Sequence, residues 1–267
     1  MREFLKPRIV TWMHQANPVT KLVLVVLAFF ITLFTHNLDF MMSQTIMFTL
    51  LLFFLSGHSP WKVMLITMPF LLVFVSSSST MILFGKGDHL WWKWGLIRIS
   101  EESFFRGIHI GFKSVSFGAE GLLFVLTTQS VALFYALMQK AKLPPKYAYS
   151  FMASIRLLPM VWEEYQVRRN ALYIREVKIS RGPRGWIRQA QLYAVPLLAQ
   201  SIRRAHRVAV AMEAKAFDGR RPRTFYYLST FSRSDLWVIL ILIGAFVIAY
   251  VGVTAYPTFG ISDVRYR

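Results

Sequence analysis

Apolar residues run along this chain in long blocks rather than at the two-residue period of strands. Val19 to Thr35 is nearly unbroken apolar sequence. Phe40 to Leu55 follows without an ionisable residue. Val63 to Phe84 is a third block, marked by Pro69 and the serine run Ser76–Ser79. Leu236 to Tyr256, after Asp235, is the last. Each holds 16 to 22 residues, close to the ~20 that span a ~30 Å hydrocarbon core. The pattern predicts membrane helices. The first block runs past the length of a signal-peptide core, and no small-x-small cleavage site closes it, so it is expected to stay as a span.

A further span is concealed by its charges. Ser103 to Leu126 contains Arg106, His109, Lys113 and Glu120. At 100° per residue these four fall within about 60° of one another on a helix. Beside them runs a stripe of small residues, Ser103, Gly107, Gly111, Ser114, Gly118 and Gly121, at spacings that let membrane helices approach closely. Phe105, Ile108, Phe112, Val115, Ala119 and Leu126 fall on the far side, which reads as a lipid face. The polar stripe must face protein or water, because a charge at the bilayer centre costs at least ~2.5–3.5 kcal/mol. It serves either bundle packing or contact with a membrane partner.

Composition and charge then orient these spans. The chain is 55% hydrophobic and 16% charged, with a mean hydropathy of +0.43, yet Lys and Arg number 31 against 13 Asp and Glu. Too few charges for a soluble globule, with a strong positive excess, point to a membrane protein with one basic face. Five spans put the termini on opposite sides. The stretch 139–235 alone holds 19 Lys or Arg against 6 Asp or Glu. The positive-inside rule therefore places the N-terminus and this stretch in the cytoplasm and the C-terminus outside. The loop from Gly85 to Glu102 balances its charges and carries Trp91, Trp92 and Trp94, an expected interfacial anchor. The organisation read from the sequence is a membrane domain over 1–138, with spans near 19–35, 40–55, 63–84 and 103–126. A cytoplasmic domain over 139–235 follows, then a last span and short external tail over 236–267.

The basic stretch is patterned. Pro144-Pro145 opens a helical period that runs to about Ile179, with Phe151, Ile155, Leu158, Trp162 and Tyr165 on one face. Ser180-Arg181-Gly182-Pro183-Arg184-Gly185 breaks it. A second period runs from Trp186 to about Ala216, lined by Val195, Leu198, Ile202, Ala205, Ala209 and Met212, with Pro196 expected to kink it. The fold class is thus an all-α, multi-pass membrane protein of about five spans, with two long amphipathic cytoplasmic helices. Each helix ends in basic residues, which serve either lipid headgroups or a docking surface on a soluble partner.

Much chemistry is missing from the sequence. With no cysteine there is no disulfide framework, thiolate metal site or cysteine nucleophile. No G-x-x-x-x-G-K-[ST] loop occurs, so ATP is not expected to bind here. The six histidines lack ligand spacing, and no metal or other cofactor is expected. Glu163 and Glu164 point about 100° apart on a helix, so pairing with Arg168 is expected rather than acid–base work. Arg156, ahead of Pro159, is a structural candidate for binding helix carbonyls or bracing the helices. A phospholipid-processing enzyme would need an acidic cluster that the chain lacks. A basic module for anionic lipid or nucleic acid would not need periodic, apolar-faced helices.

Residues Thr127 to Gln166, TTQSVALFYALMQKAKLPPKYAYSFMASIRLLPMVWEEYQ, resemble the transmembrane T component of energy-coupling factor transporters, the EcfT/CbiQ type. The matching elements are Leu126-Thr127-Thr128, Leu143-Pro144, Ser154 to Pro159, and Glu163-Glu164. Pro196 to Gly219, which includes Glu213, is similar to the family's second signature. The resemblance implies two Ala-Arg-Gly-like motifs ending two coupling helices, matched by Ser180-Arg181-Gly182 and, with Lys and Ala replacing Arg and Gly, by Ala214-Lys215-Ala216. Arg184 and Arg175 lie near the first. It implies a non-catalytic scaffold in a bacterial or archaeal cell membrane. Its partners would be two cytosolic ABC-type ATPase subunits, which carry the ATP and Mg, and a small substrate-binding membrane protein. The lipid bilayer surrounds it, and no nucleic acid is involved. The cargo class would be a vitamin, vitamin precursor or metal ion.

Overall fold

The computed structural model describes residues 7–87, 89–94, 97–177, 182–217, 224–255, 257, 259–261 and 263–264. These form nine helices and one hairpin, in the order α1 (Trp12–Gln15), α2 (Pro18–Phe34), α3 (Leu38–Leu55), α4 (Pro60–Phe84), β1 (Leu90–Trp94), β2 (Ile97–Ser100), α5 (Glu101–Thr127), α6 (Ser130–Lys140), α7 (Pro145–Ile174), α8 (Pro183–Ala214) and α9 (Arg233–Ala255). Helices α3, α4, α5 and α9 are long and apolar enough to cross a membrane; α2 is apolar but has 17 residues. The protein is an all-α, multi-pass membrane protein.

The chain divides into two compact units. The first comprises residues 1–136 and 229–267, the second residues 137–228. In the first, local chemistry sets each helix start. Asn17 precedes Pro18 and accepts the Val19 N–H at 3.0 Å, and Asn37 accepts the Phe40 N–H at 3.0 Å. Ser100 and Ser103 exchange side-chain bonds to each other's backbone N–H. Helix α4 runs unbroken through Pro69 and the serine run. Ser79 and Thr80 donate to the carbonyls of Val75 and Ser76, one turn back, so these hydroxyls satisfy themselves within the helix.

Helix α5 is the hub of this unit. Its neighbours are α2, α3 and α4, and the main core joins Ala28, Phe48, Leu52, Val63, Ala119, Leu123, Val238 and Leu242. Val115 and Ala119 are 7% and 1% exposed, so the broad lipid face expected on α5 is absent. Among its side chains only Ile110 and Val125 are exposed, together with Gly121. The sequence pattern misled because lipid-facing and core-facing apolar residues look alike in a membrane protein.

Polar side chains close both ends of the bundle. At one end the buried Lys21 ammonium donates to the carbonyls of Thr127 at 2.8 Å and Met13 at 3.1 Å, tying α2 to the end of α5. Buried Asp235, at the start of α9, accepts the Asn17 N–H at 2.5 Å and the Ser232 N–H at 2.7 Å. Burial, with Lys21 and His58 nearby, pushes the His14 imidazole below its ordinary pKa. At the other end Asp39 accepts the N–H groups of Phe259 and Gly260 at 2.9 and 3.0 Å. Ile261 and Val264 pack with Leu38, Phe105 and Ile108. The tail after α9 is therefore folded back onto the bundle at the end opposite the start of α2.

Candidate functional site

The second unit consists chiefly of α7 and α8, of 30 and 32 residues. Both begin with proline at the first turn, where its missing N–H is tolerated, and both contain an interior proline, Pro159 and Pro196. Their contacts run in opposite order along the two helices. Glu164 accepts from Arg204 in an ion pair and from Gln200 at 3.3 Å. Tyr165 lies 5.2 Å from Tyr193, and Arg168 donates to the Leu192 carbonyl at 3.4 Å. The expected pairing of Glu163-Glu164 with Arg168 is thus replaced. Glu164 takes Arg204 across the helices, and Glu163 is exposed. The cause is Pro196. A helical Leu192 carbonyl would accept the N–H of residue 196, and proline has none. Arg168 supplies the missing donor. Arg156 is exposed, and its side chain makes no hydrogen bond or ion pair among the described residues.

The two helices end alike. In α7, Arg175 is the C-cap, Glu176 has φ +48°, and the N–H groups of Glu176 and Val177 donate to Tyr173 and Leu172. In α8, Lys215 is the C-cap, Ala216 has φ +52°, and the N–H groups of Ala216 and Phe217 donate to Glu213 and Met212. Both are Schellman caps, with apolar residues at the two positions that meet in that motif: Leu172 with Val177, and Met212 with Phe217. Non-glycine residues hold the left-handed site in each. Register for register, Ile174-Arg175-Glu176 therefore corresponds to Ala214-Lys215-Ala216. The sequence resemblance instead matches the first motif to Ser180-Arg181-Gly182. Ser180 and Arg181 lie outside the described residues. Gly182, at φ +114°, is the N-cap of α8, and Arg184 is exposed in its first turn. Arg175, a neighbour of that motif in the sequence, is singled out by the shared pattern apolar-x-x-cation-x-apolar.

Both cations are exposed, and so is much apolar surface around them. Tyr173 and Ile174 are 84% and 79% exposed beside Arg175. Phe151, Leu158 and Trp162 on α7, and Val195, Leu198 and Ile202 on α8, are all exposed. Only Ala148 in α7 and Gly185 in α8 are buried. Exposed apolar surface on this scale marks an interaction face.

In the first unit, the small and polar stripes of α5 meet their own bundle. A Cβ on Gly107 would stand 2.6 Å from Ile82 Cγ1, on Gly111 2.7 Å from the Phe74 ring, and on Gly118 2.5 Å from Phe70 Cγ. These glycines let α4 lie against α5. Gly121 faces open space instead. Glu120 is buried and accepts from Thr32 at 2.7 Å, Gln44 at 3.2 Å and Ser116 at 3.4 Å. His109 is buried with its ring 6.5 Å from that of His36. Lys113 donates to the Leu33 carbonyl at 2.6 Å, in the last turn of α2, where the helix dipole favours a cation. Arg106 donates to the carbonyl of Val264 at 3.0 Å, holding the folded-back tail, and to that of Lys86 at 3.4 Å.

Comparison with known proteins adds a family. The model of the family described as CbiQ, cobalt transport protein, matches residues 10–227. Proteins named energy-coupling factor transporter transmembrane protein EcfT are similar along most of their length. That of Limosilactobacillus fermentum is 26% identical over 68% of this chain and 72% of its own. That of Lacticaseibacillus paracasei is 26% identical over 85% and 89%, and that of Lactococcus lactis subsp. cremoris 27% identical over 86% and 90%.

Proposed function

Because the chain belongs to the EcfT/CbiQ family, we propose that it is the transmembrane energy-coupling component of an energy-coupling factor transporter, a scaffold that transmits motion and performs no catalysis itself. The observation that carries the reading is the pair of α7 and α8 ends, two long, largely unburied helices finishing in the same cap with a cation on it. ATP would be hydrolysed on two cytosolic ABC-type subunits, one receiving each tip, while a small substrate-binding membrane protein sits against the membrane portion. The tips are Arg175 and Lys215. Arginine offers a planar fork and lysine a point charge, so the two ATPase grooves are addressed with different chemistry. The apolar faces of α7 and α8 supply area, and the cations supply register. Closure of the ATPases on ATP would draw the tips together. The Glu164–Arg204 and Arg168–Leu192 contacts would pass that movement between the helices where they touch. The α7–α8 unit and the N-terminus would lie in the cytoplasm and the tail after α9 outside, in a bacterial or archaeal cell membrane. The cargo, a vitamin, vitamin precursor or metal ion, is selected by the partner protein.

The test is affinity purification of the tagged chain from its native membrane in mild detergent, with mass spectrometry of what accompanies it. Arg175→Glu and Lys215→Glu are each expected to lose one ATPase contact, at a cost on the order of 2–5 kcal/mol for a desolvated charge. Their combination is expected to release both subunits. Arg181→Glu is expected to retain them. Co-purification indifferent to residues 175 and 215 would overturn the assignment of the tips. Absence of ATP-binding-cassette subunits from every preparation would overturn the coupling role itself.

A further inference from the structure

The hairpin between α4 and α5 is not used by the coupling reading. Its base is fixed. The Gly85 N–H caps α4 on Met81, and the Glu101 N–H donates to the His89 carbonyl at 3.0 Å. Glu102 accepts the His89 N–H at 3.1 Å. A Cβ on Gly87 would stand 2.8 Å from Ser100 Cβ, so only glycine lets this strand pass. The ribbon itself is exposed: Leu90 54%, Trp91 57% and Trp92 60%. Trp91 packs on Phe104 of α5 at 5.7 Å.

The register divides the ribbon into two faces. Trp92 pairs with Ile99, and Lys93 pairs with Arg98. Directly opposed residues share a face, and successive residues alternate. One face therefore carries Trp92 and Ile99, the other the cation pair Lys93 and Arg98. Like charges directly opposite are destabilising unless an anion lies between them. Both side chains are exposed, and neither forms an ion pair among the described residues. A two-stranded ribbon is at best marginally stable in water without something to lie on. Strand β2 packs against α4 and α5, and because the ribbon joins two membrane-length helices, its exposed part stands at the level of the bilayer surface. Tryptophan and isoleucine on one side and two cations on the other match the acyl boundary and the phosphate plane respectively.

We propose that the β1–β2 hairpin lies flat in the headgroup layer of the bilayer, with Trp92 and Ile99 against the acyl boundary and Lys93 and Arg98 bound to the phosphates of anionic phospholipid. The anchor fixes the depth of the α4–α5 pair, the most closely packed helices of the first unit.

The chain has no cysteine, so single-cysteine variants take a label at one site only. Spin labels at Trp92→Cys and Lys93→Cys would be read in the full chain, in vesicles of phosphatidylethanolamine with phosphatidylglycerol. Collision with dissolved oxygen reports acyl contact, and collision with a water-soluble nickel chelate reports solvent. The label at 92 is expected to favour oxygen and that at 93 nickel. In parallel, unlabelled chain carrying Lys93→Gln, Arg98→Gln or both would be purified with its bound lipid. The ratio of phosphatidylglycerol to phosphatidylethanolamine retained is expected to fall on the order of five-fold per cation removed. Equal nickel access at both positions would make the hairpin a solvent loop and overturn the proposal. Labels reached by nickel in the chain alone but shielded from both reagents once partner subunits are bound would assign the hairpin to a protein interface and overturn it equally. A lipid ratio unchanged by the double variant would remove the phosphate contacts.

Discussion

Gly118 and Gly121 lie three residues apart on α5, the first buried and the second exposed. A Cβ added at Gly118 would stand 2.5 Å from Phe70 Cγ and 2.9 Å from Phe70 Cε1, whereas one added at Gly121 would meet nothing within 4 Å. Alanine in place of glycine stabilises a helix interior by about 1 kcal/mol, and that gain applies at both positions. At 118 it is opposed by overlap with a ring that should rest ~3.5–4.0 Å away. Rotation of the ring about χ2 leaves Cγ where it is, so relief requires a new χ1 for Phe70 or separation of α4 from α5. Overpacking of this kind costs about 1–3 kcal/mol. Gly121→Ala is therefore expected to stabilise the bundle by about 1 kcal/mol, and Gly118→Ala to leave it between unchanged and about 2 kcal/mol less stable. The helix term cancels in the difference between the variants, which isolates the steric cost. Unfolding of the full chain in bicelles by steric trapping would measure it. Equal shifts for the two substitutions would refute the close approach of α4 and α5 on this stripe.

Two further substitutions probe the polar joints. Lys21→Met keeps the stem and removes the donor to the Thr127 and Met13 carbonyls, which are then left without it in a buried site; a loss of about 1–3 kcal/mol is expected, and a thermal midpoint equal to wild type would show that the ammonium does not hold this end together. For Glu164 and Arg204, whose side chains are 21% and 26% exposed, a double-mutant cycle of Glu164→Gln with Arg204→Gln is expected to give a coupling near the upper end for partly exposed pairs, about 1 kcal/mol. Additive losses in the same thermal assay would mean that the two helices are not pinned there.

The spans were legible in the sequence because hydrophobic length is a strong signal and backbone hydrogen bonding leaves lipid-crossing segments little choice but helix. Even the charged fifth helix could be read, since its four ionisable groups cluster on one side. What the sequence could not supply was each side's occupant. Val115 and Ala119 point into the core rather than to lipid, and Gly121 belongs to the stripe by spacing but not by contact. Apolar patterning separates polar from apolar, and within a bilayer that does not separate inside from outside. The hairpin was missed for another reason: three tryptophans announced an interface, but a five-residue strand facing a four-residue one has too short a period to stand out.

The ends of α7 and α8 show where a letter-based reading and a backbone reading diverge. A search for an arginine followed by glycine in this stretch selects Arg181 and Arg184, because Gly182 and Gly185 are there to match. Yet Gly182 serves the start of α8 and not the end of α7. The residue that ends α7 in the left-handed conformation is Glu176, and in α8 it is Ala216. A side chain in that region costs roughly 1–2 kcal/mol relative to glycine, and this chain accepts the cost at both ends. The six-residue cap, with apolar residues five apart and a cation between them, persists without its glycine because two hydrogen bonds hold it. It follows that Ala216→Gly should tighten the end of α8 without altering which side chain it presents. Arg175 and Lys215 answer to each other by their place in the cap rather than by their neighbours in sequence.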